Sequence, residues 1–150
     1  MAALMPLNAL AGSGKYEAML LTCIDPRFQE PVTKHTARRK LTGKYSQFTI
    51  AGASIGVVAP AFKDWQKAFW DNLGASIQLH NIEKVIVINH RDCGAAKIAF
   101  GDAAVANAAA ETKTHRDALS DFRKQLADRY PKMGCETGLM ALSGKLEVFS

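Results

Sequence analysis

His90 and Cys93 stand three residues apart in the run Val85-Ile86-Val87-Ile88-Asn89-His90-Arg91-Asp92-Cys93-Gly94. That spacing lets an imidazole nitrogen and a thiolate converge on one soft, tetrahedral metal such as zinc. Two ligands do not make a site, and a third donor lies upstream in Cys23, which opens Cys23-Ile24-Asp25-Pro26-Arg27-Phe28 directly after the apolar run Met19-Leu20-Leu21-Thr22. Two thiolates and one neutral imidazole cancel the charge of Zn²⁺ and leave the fourth tetrahedral position to water, an arrangement suited to catalysis. A metal-held water can have its pKa brought from ~16 to about 7, giving a hydroxide that attacks an electrophilic carbon. Asp25 and Arg27, two residues apart in a segment expected to be extended, project to the same side and can pair.

The elements that must position these groups are legible in outline. The four apolar residues from Val85 to Ile88 read as a strand buried on both faces, and residues 19–22 as a second. As neighbouring parallel strands they bring Cys23 and His90 to carboxyl ends, the side of an open α/β sheet where ligands bind. Residues 30–41 are expected to form a helix ending near Gly43, and 45–51 a strand that stops at Ala51-Gly52-Ala53, small residues that permit close approach. Pro60 suits a helix start, after which Phe62, Trp65, Phe69, Leu73 and Ile77 recur at spacings of three and four and read as a core-packing stripe. Helices are expected over 94–100 and 114–130, the second ended by Pro131. Alternating strands and helices require a mostly parallel sheet with right-handed crossovers.

Taken together, Cys23-x-Asp25-x-Arg27 and, after a long gap, His90-x-x-Cys93-Gly94 resemble the signature of the β-class carbonic anhydrases. Ala51-Gly52-Ala53-Ser54 sits where that family has an Ala-Gly-Asn turn, and Ser76-Ile77 and Ile86-Val87 resemble the helix and strand leading into the second motif. Gly138-Leu139-Met140 and residues 143–148 resemble its closing hairpin, so the similarity runs through nearly the whole chain from Met19 onward. It implies a single α/β domain over 1–150 with a mostly parallel central sheet flanked by helices, one Zn²⁺ on Cys23, His90 and Cys93, and a lyase activity: hydration of carbon dioxide to bicarbonate and a proton by zinc-bound hydroxide. It gives Asp25 two states, either paired with Arg27 and accepting a hydrogen bond from the zinc-bound water, or turned onto the zinc and closing the site. It also implies a homodimer or larger homo-oligomer. The chain departs from the pattern at Thr49-Ile50 in place of Arg-Asn, at Ala53 in place of Asn, and at Asn89 in place of the Gly before the zinc histidine. These changes touch the substrate pocket, expected from Phe28, Phe48, Ala53 and Gly94, and not the ligands. Relatives with the same ligands hydrolyse carbonyl sulfide or carbon disulfide, which is the alternative reaction. A non-catalytic zinc or bicarbonate-binding protein, with Asp25 as permanent fourth ligand, is another. A thiol redox protein using Cys23 and Cys93 lacks Cys-x-x-Cys and leaves His90 unexplained.

Composition narrows the classes. With 150 residues and 48% hydrophobic content the chain fits one domain with a real core. Residues 1–15 are apolar but broken by Pro6 and Asn8, too short to span a bilayer, and read as a loose arm. The formal charge of +5 is spread, with Arg38-Arg39-Lys40 the one tight run, so neither a nucleic-acid nor a membrane partner is expected. Three cysteines do not make a disulfide framework, and thiolate ligands suit a reducing compartment, so the cytoplasm is expected. His35, His80 and His115 read as surface or capping histidines, Cys135 as a small buried or half-buried side chain, and Asp92 as a turn residue accepting from Arg91 or orienting the motif backbone.

Overall fold

The computed structural model describes residues 14–150; the arm expected over 1–15 falls, but for its last two residues, outside them. A five-stranded sheet is built in the order β2-β1-β3-β4-β5. Strand β1 (Ala18–Thr22) pairs in parallel with β2 (Tyr45–Thr49) and with β3 (Lys84–His90), and β3 pairs in parallel with β4 (Gly134–Met140). The last strand, β5 (Leu146–Phe149), returns antiparallel to β4 as the expected hairpin. Register sets the site, because Thr22 lies opposite Ile88 and the residues that follow, Cys23 and His90, reach the same carboxyl edge.

Both faces of the sheet are covered, which is why β1 and β3 are apolar without alternation. On one face Leu20, Ile86 and Ile88 pack with Phe28, with Val32 of α1 (Gln29–Arg38) and with Ala95 and Ala96 of α4 (Gly94–Phe100). On the other, Met19, Leu21, Val85 and Val87 meet Phe69 and Leu73 of α3 (Lys63–His80) and Leu119, Phe122 and Leu126 of α5 (Ala108–Arg129). Phe69, Leu73 and Phe122 are fully buried, and each such side chain contributes ~1.5–3 kcal/mol relative to exposure.

The structure departs from the sequence reading at element ends. Helix α1 stops at Arg38, before 41, because Lys40 turns left-handed at φ 57° and the Leu41 and Lys40 amides donate back to the Thr36 and Ala37 carbonyls, both at 2.9 Å, in a Schellman closure. Helix α5 starts at Ala108 rather than 114, since the Asn107 side chain caps it by accepting from the Ala110 amide at 2.9 Å. Trp65, expected in the core stripe, is 41% exposed and stacks on Phe62 with centroids 4.3 Å apart. Phe62 belongs to a 3₁₀ turn, Pro60–Phe62, whose tighter winding shifts the phase of the helix that follows. A short buried helix, α2 (Ser54–Val58), has no counterpart in the sequence reading. Among the described residues no helix is long and apolar enough to cross a membrane.

Candidate metal centre

Cys23, His90 and Cys93 are brought together at the carboxyl edge of β1 and β3, buried, with their donor atoms all within 4.8 Å of one another. Cys23 leaves β1, His90 ends β3, and Cys93 caps the start of α4. The His90 Nδ1–H donates to the Arg91 carbonyl at 2.7 Å; a carbonyl only accepts, so the proton is fixed on Nδ1 and the Nε2 lone pair is left free. Nε2 is buried with no hydrogen-bond partner. An orphaned buried nitrogen between two sulfurs fits a thiophilic cation, and the donor set matches Zn²⁺ with one coordination position to spare. The Gly52 amide donates to Cys23 Sγ at 3.2 Å, which gives the small residues after β2 a definite role. The two sulfurs are coupled: the neighbouring Cys93 thiol, against burial, holds Cys23 well below the usual thiol range, while Cys93 itself is pushed up. Burial presses the His90 imidazolium down, but the contacts with Cys23, the Arg91 carbonyl and Asp25 outweigh it and the net shift is upward.

Asp25 Oδ2 stands 3.8 Å from His90 Nε2. It is gripped by Arg27, whose Nη2 donates to Oδ2 at 2.7 Å and whose Nε donates to Oδ1 at 3.1 Å. These bonds hold the Asp25 carboxyl down to about 2. The pair forms for a different reason from the one expected, because the segment is not extended. Pro26–Phe28 is a 3₁₀ turn that Asp25 caps, accepting from the Arg27 amide at 2.9 Å. Asp92 accepts from Arg27 rather than from Arg91, which is taken up by Glu111 at 3.0 Å and Glu147 at 3.3 Å. Of the residues expected to line a pocket, Phe28 lies against the His90 ring with centroids 4.8 Å apart, and Gly94 adjoins Cys93 at the start of α4. Phe48 and Ala53 are turned to the opposite core, where Phe48 meets Phe69 at 5.3 Å, because Phe48 shares its face with Leu21 across the β1–β2 ladder. The cavity beside Cys23 and Phe28, about 290 Å³, is instead walled by Thr33, Tyr45, Gln47 and Thr49.

A family model described as "Putative carbonic anhydrase" matches residues 13–136. The chain belongs to that family. Its relatives include an uncharacterized protein of Rickettsia bellii, 29% identical over 129 residues that cover 86% of this chain and 79% of the relative. An uncharacterized protein of Rickettsia conorii is 28% identical over 129 residues, 86% of this chain and 69% of its own. Among solved structures, the β-carbonic anhydrase CafA of Aspergillus fumigatus superposes with a TM-score of 0.61 at 14% identity, covering 91% of this chain and 77% of that one. Two tetrameric β-carbonic anhydrases of Sordaria macrospora are represented at a TM-score of 0.63 and 11% identity, covering 93% and 83%. These likenesses establish a shared fold.

Within this carbonic anhydrase-like chain, the position before the ligand histidine carries structure of its own. The Asn89 side chain points behind the site, where Oδ1 accepts from the Ser54 amide at 3.1 Å and hydroxyl at 2.9 Å and Nδ2 donates to His115 Nδ1 at 3.0 Å. His115, read from sequence as a surface or capping residue, is fully buried, and burial pushes its pKa down to about 4. Sequence held no signal for Glu111 or His115 as supports of the motif loop, because each meets it across the fold. His35 and His80 are half-buried and outside the cluster, and all three cysteines are free.

Proposed function

We propose that this chain is a zinc-dependent carbonic anhydrase, hydrating carbon dioxide to bicarbonate and a proton. The observation that carries the reading is the buried, unpartnered His90 Nε2 between two cysteine sulfurs, with an ionised carboxylate 3.8 Å away. Zinc held by Cys23, His90 and Cys93 would supply a Lewis acid that makes water a nucleophile near neutral pH. The chain's own groups do the rest. The Gly52 amide and the Arg91 carbonyl fix the orientation of Cys23 and His90, as outer hydrogen bonds do for metal ligands. Asp25, kept ionised and turned toward Arg27, offers Oδ2 as the acceptor that orients the attacking water, and the Phe28 ring shields one side of His90. The hydroxyl and amide groups of Thr33, Gln47 and Thr49 can bond an oxygen-rich product, which favours bicarbonate chemistry over hydrolysis of carbon disulfide or carbonyl sulfide. The two-point grip of Arg27 on Asp25 argues against Asp25 as a permanent fourth ligand.

The assembly we propose is a homo-oligomer. Ile24, beside Cys23, is 60% exposed, and Ile98 and Phe100 on α4, the helix that Cys93 caps, are 74% and 42% exposed, large apolar side chains that a second copy would cover; the Sordaria macrospora enzymes of this fold are tetrameric. Light scattering at micromolar concentration should give at least a dimer, and a clean monomer would reject it. Paired thiols offered as metal ligands favour a reducing compartment such as the cytoplasm. Stopped-flow hydration of carbon dioxide by the zinc-loaded protein, with carbonyl sulfide assayed alongside, tests the activity. Carbon dioxide turnover that is inhibited by acetazolamide, the ligand in the Coccomyxa β-carbonic anhydrase complex, is expected. Full zinc with no hydration would overturn the enzymatic reading.

A further inference from the structure

Arg27 does not serve Asp25 alone. One edge of its guanidinium binds the Asp25 carboxylate, and the rest reaches the other motif loop, where Nη1 donates to Asp92 Oδ2 at 2.8 Å and Nη2 to the Asp92 carbonyl at 3.1 Å. We propose that Asp92 is a positioning residue which, by anchoring Arg27, holds Asp25 turned away from the Cys23, His90 and Cys93 cluster, and that Glu111 in turn holds Asp92. The inference rests on the metal-site reading above. Asp25 needs such a restraint because its Oδ2 is already 3.8 Å from His90 Nε2, so a small rotation would carry the carboxylate onto a cation, the strongest attraction nearby. A guanidinium held only by Asp25 could follow that rotation. One forked across two loops cannot, since its donors lie in a fixed plane.

The anchor is itself fixed. Asp92 sits at φ 57°, a left-handed conformation that Asp tolerates better than most residues. Its amide donates to Glu111 Oε2 at 2.7 Å, while Glu111 Oε1 accepts from Arg91 Nη1 at 3.0 Å. Glu111 stands on the 22-residue helix α5, and its side chain is 13% exposed. An isolated exposed ion pair is worth little, chiefly because two long side chains must be ordered to make it. Here Asp92 is a short side chain on a turn tied to a long helix, and Arg27 is ordered by Asp25 in any case, so less entropy remains to be lost.

Cobalt(II)-loaded protein tests the proposal without turnover, through azide entering the open coordination position and shifting the visible bands. Wild type should respond to azide. Asp92→Gly, which removes the carboxylate without straining the left-handed turn, should raise the half-saturating azide concentration by up to about fivefold, the upper end for an exposed ion pair. Asp92→Asn, which keeps one acceptor oxygen, should shift it less in the same direction, and adding Asp25→Ala to Asp92→Gly should abolish the weakening, giving the response of Asp25→Ala alone. Loss of a carboxylate by itself would tighten an anion, at Asp25 as at Asp92, so an Asp92→Gly weakening that is absent in the Asp25→Ala background identifies movement of Asp25. Azide binding in Asp92→Gly equal to or tighter than wild type, weakening that Asp25→Ala leaves in place, or a wild type that takes up cobalt but ignores azide would each overturn the inference. A wild type that binds no cobalt overturns the metal-site reading beneath it.

Discussion

A single hydrogen bond decides how His90 presents itself. The Arg91 carbonyl claims Nδ1–H at 2.7 Å, so Nε2 faces the two sulfurs with its lone pair and has no other partner. Removing any one of the three donors should therefore leave a two-coordinate remnant, too weak to retain zinc through dialysis against a chelator. Elemental analysis of Cys23→Ser, Cys93→Ser and His90→Ala is expected to show metal well below one per chain in each, and full retention in any variant would strike that residue from the ligand set. The three donors were legible in the sequence because two follow apolar strands and two are three residues apart, so neither depends on distant folding. The choice of partners among exposed charges was not legible. Arg91 is the sequence neighbour of Asp92, yet the guanidinium that reaches Asp92 comes from 65 residues away, and Arg91 is engaged by a glutamate 20 residues downstream.

Elements were readable where they are long or uniformly apolar and unreadable where they are short and buried all round. Strands β1 and β3 declare themselves by runs without alternation, and α3 by its Phe69 and Leu73 spacing, but α2 has five residues, too few to show a period. Yet α2 matters to the site. The turn before it holds Gly52 at φ 82°, aiming its amide at Cys23, and places Ser54 on Asn89. Gly56, inside α2, leaves room for this turn: a Cβ there would lie 2.5 Å from the Ala51 carbonyl and 3.1 Å from two Ile50 carbons. Because the obstructing atom is backbone, the turn must shift. Gly56→Ala should cost ~1–3 kcal/mol of stability, the range for overpacking, and loosen the Gly52 amide from Cys23. Urea denaturation checks the first, and weaker metal retention than wild type checks the second. A variant as stable as wild type would show that the turn adjusts freely.

At the scale of the whole molecule, one buried polar chain crosses between layers: Ser54 on α2, Asn89 on β3 and His115 on α5. The Asn89 amide donates to His115 Nδ1, so the imidazole is held in its neutral form, and burial keeps its pKa down to about 4 from an ordinary 6.5. The unfolded chain takes up a proton at His115 as pH falls through about 6.5, and the folded chain does so only near 4. Between those values the unfolded state binds more protons, so this group's contribution to stability declines as pH falls and levels off below about 4. The loss can reach about 3 kcal/mol over the whole window, at about 1.4 kcal/mol per pH unit. Asp25, also depressed, acts in a lower window: its contribution is present above its ordinary 3.8 and lost as pH falls toward 2. The two can therefore be separated. Urea midpoints measured from pH 7 to pH 4 should fall steadily for wild type, whereas His115→Asn, which keeps an acceptor near the Nδ1 position but does not titrate, should fall less steeply even if it is less stable at pH 7. His35 and His90 are present in both proteins, so the difference between the two slopes isolates His115. Equal slopes would mean that His115 is protonated in the folded chain well above pH 4, and that the Asn89 contact does not hold it neutral.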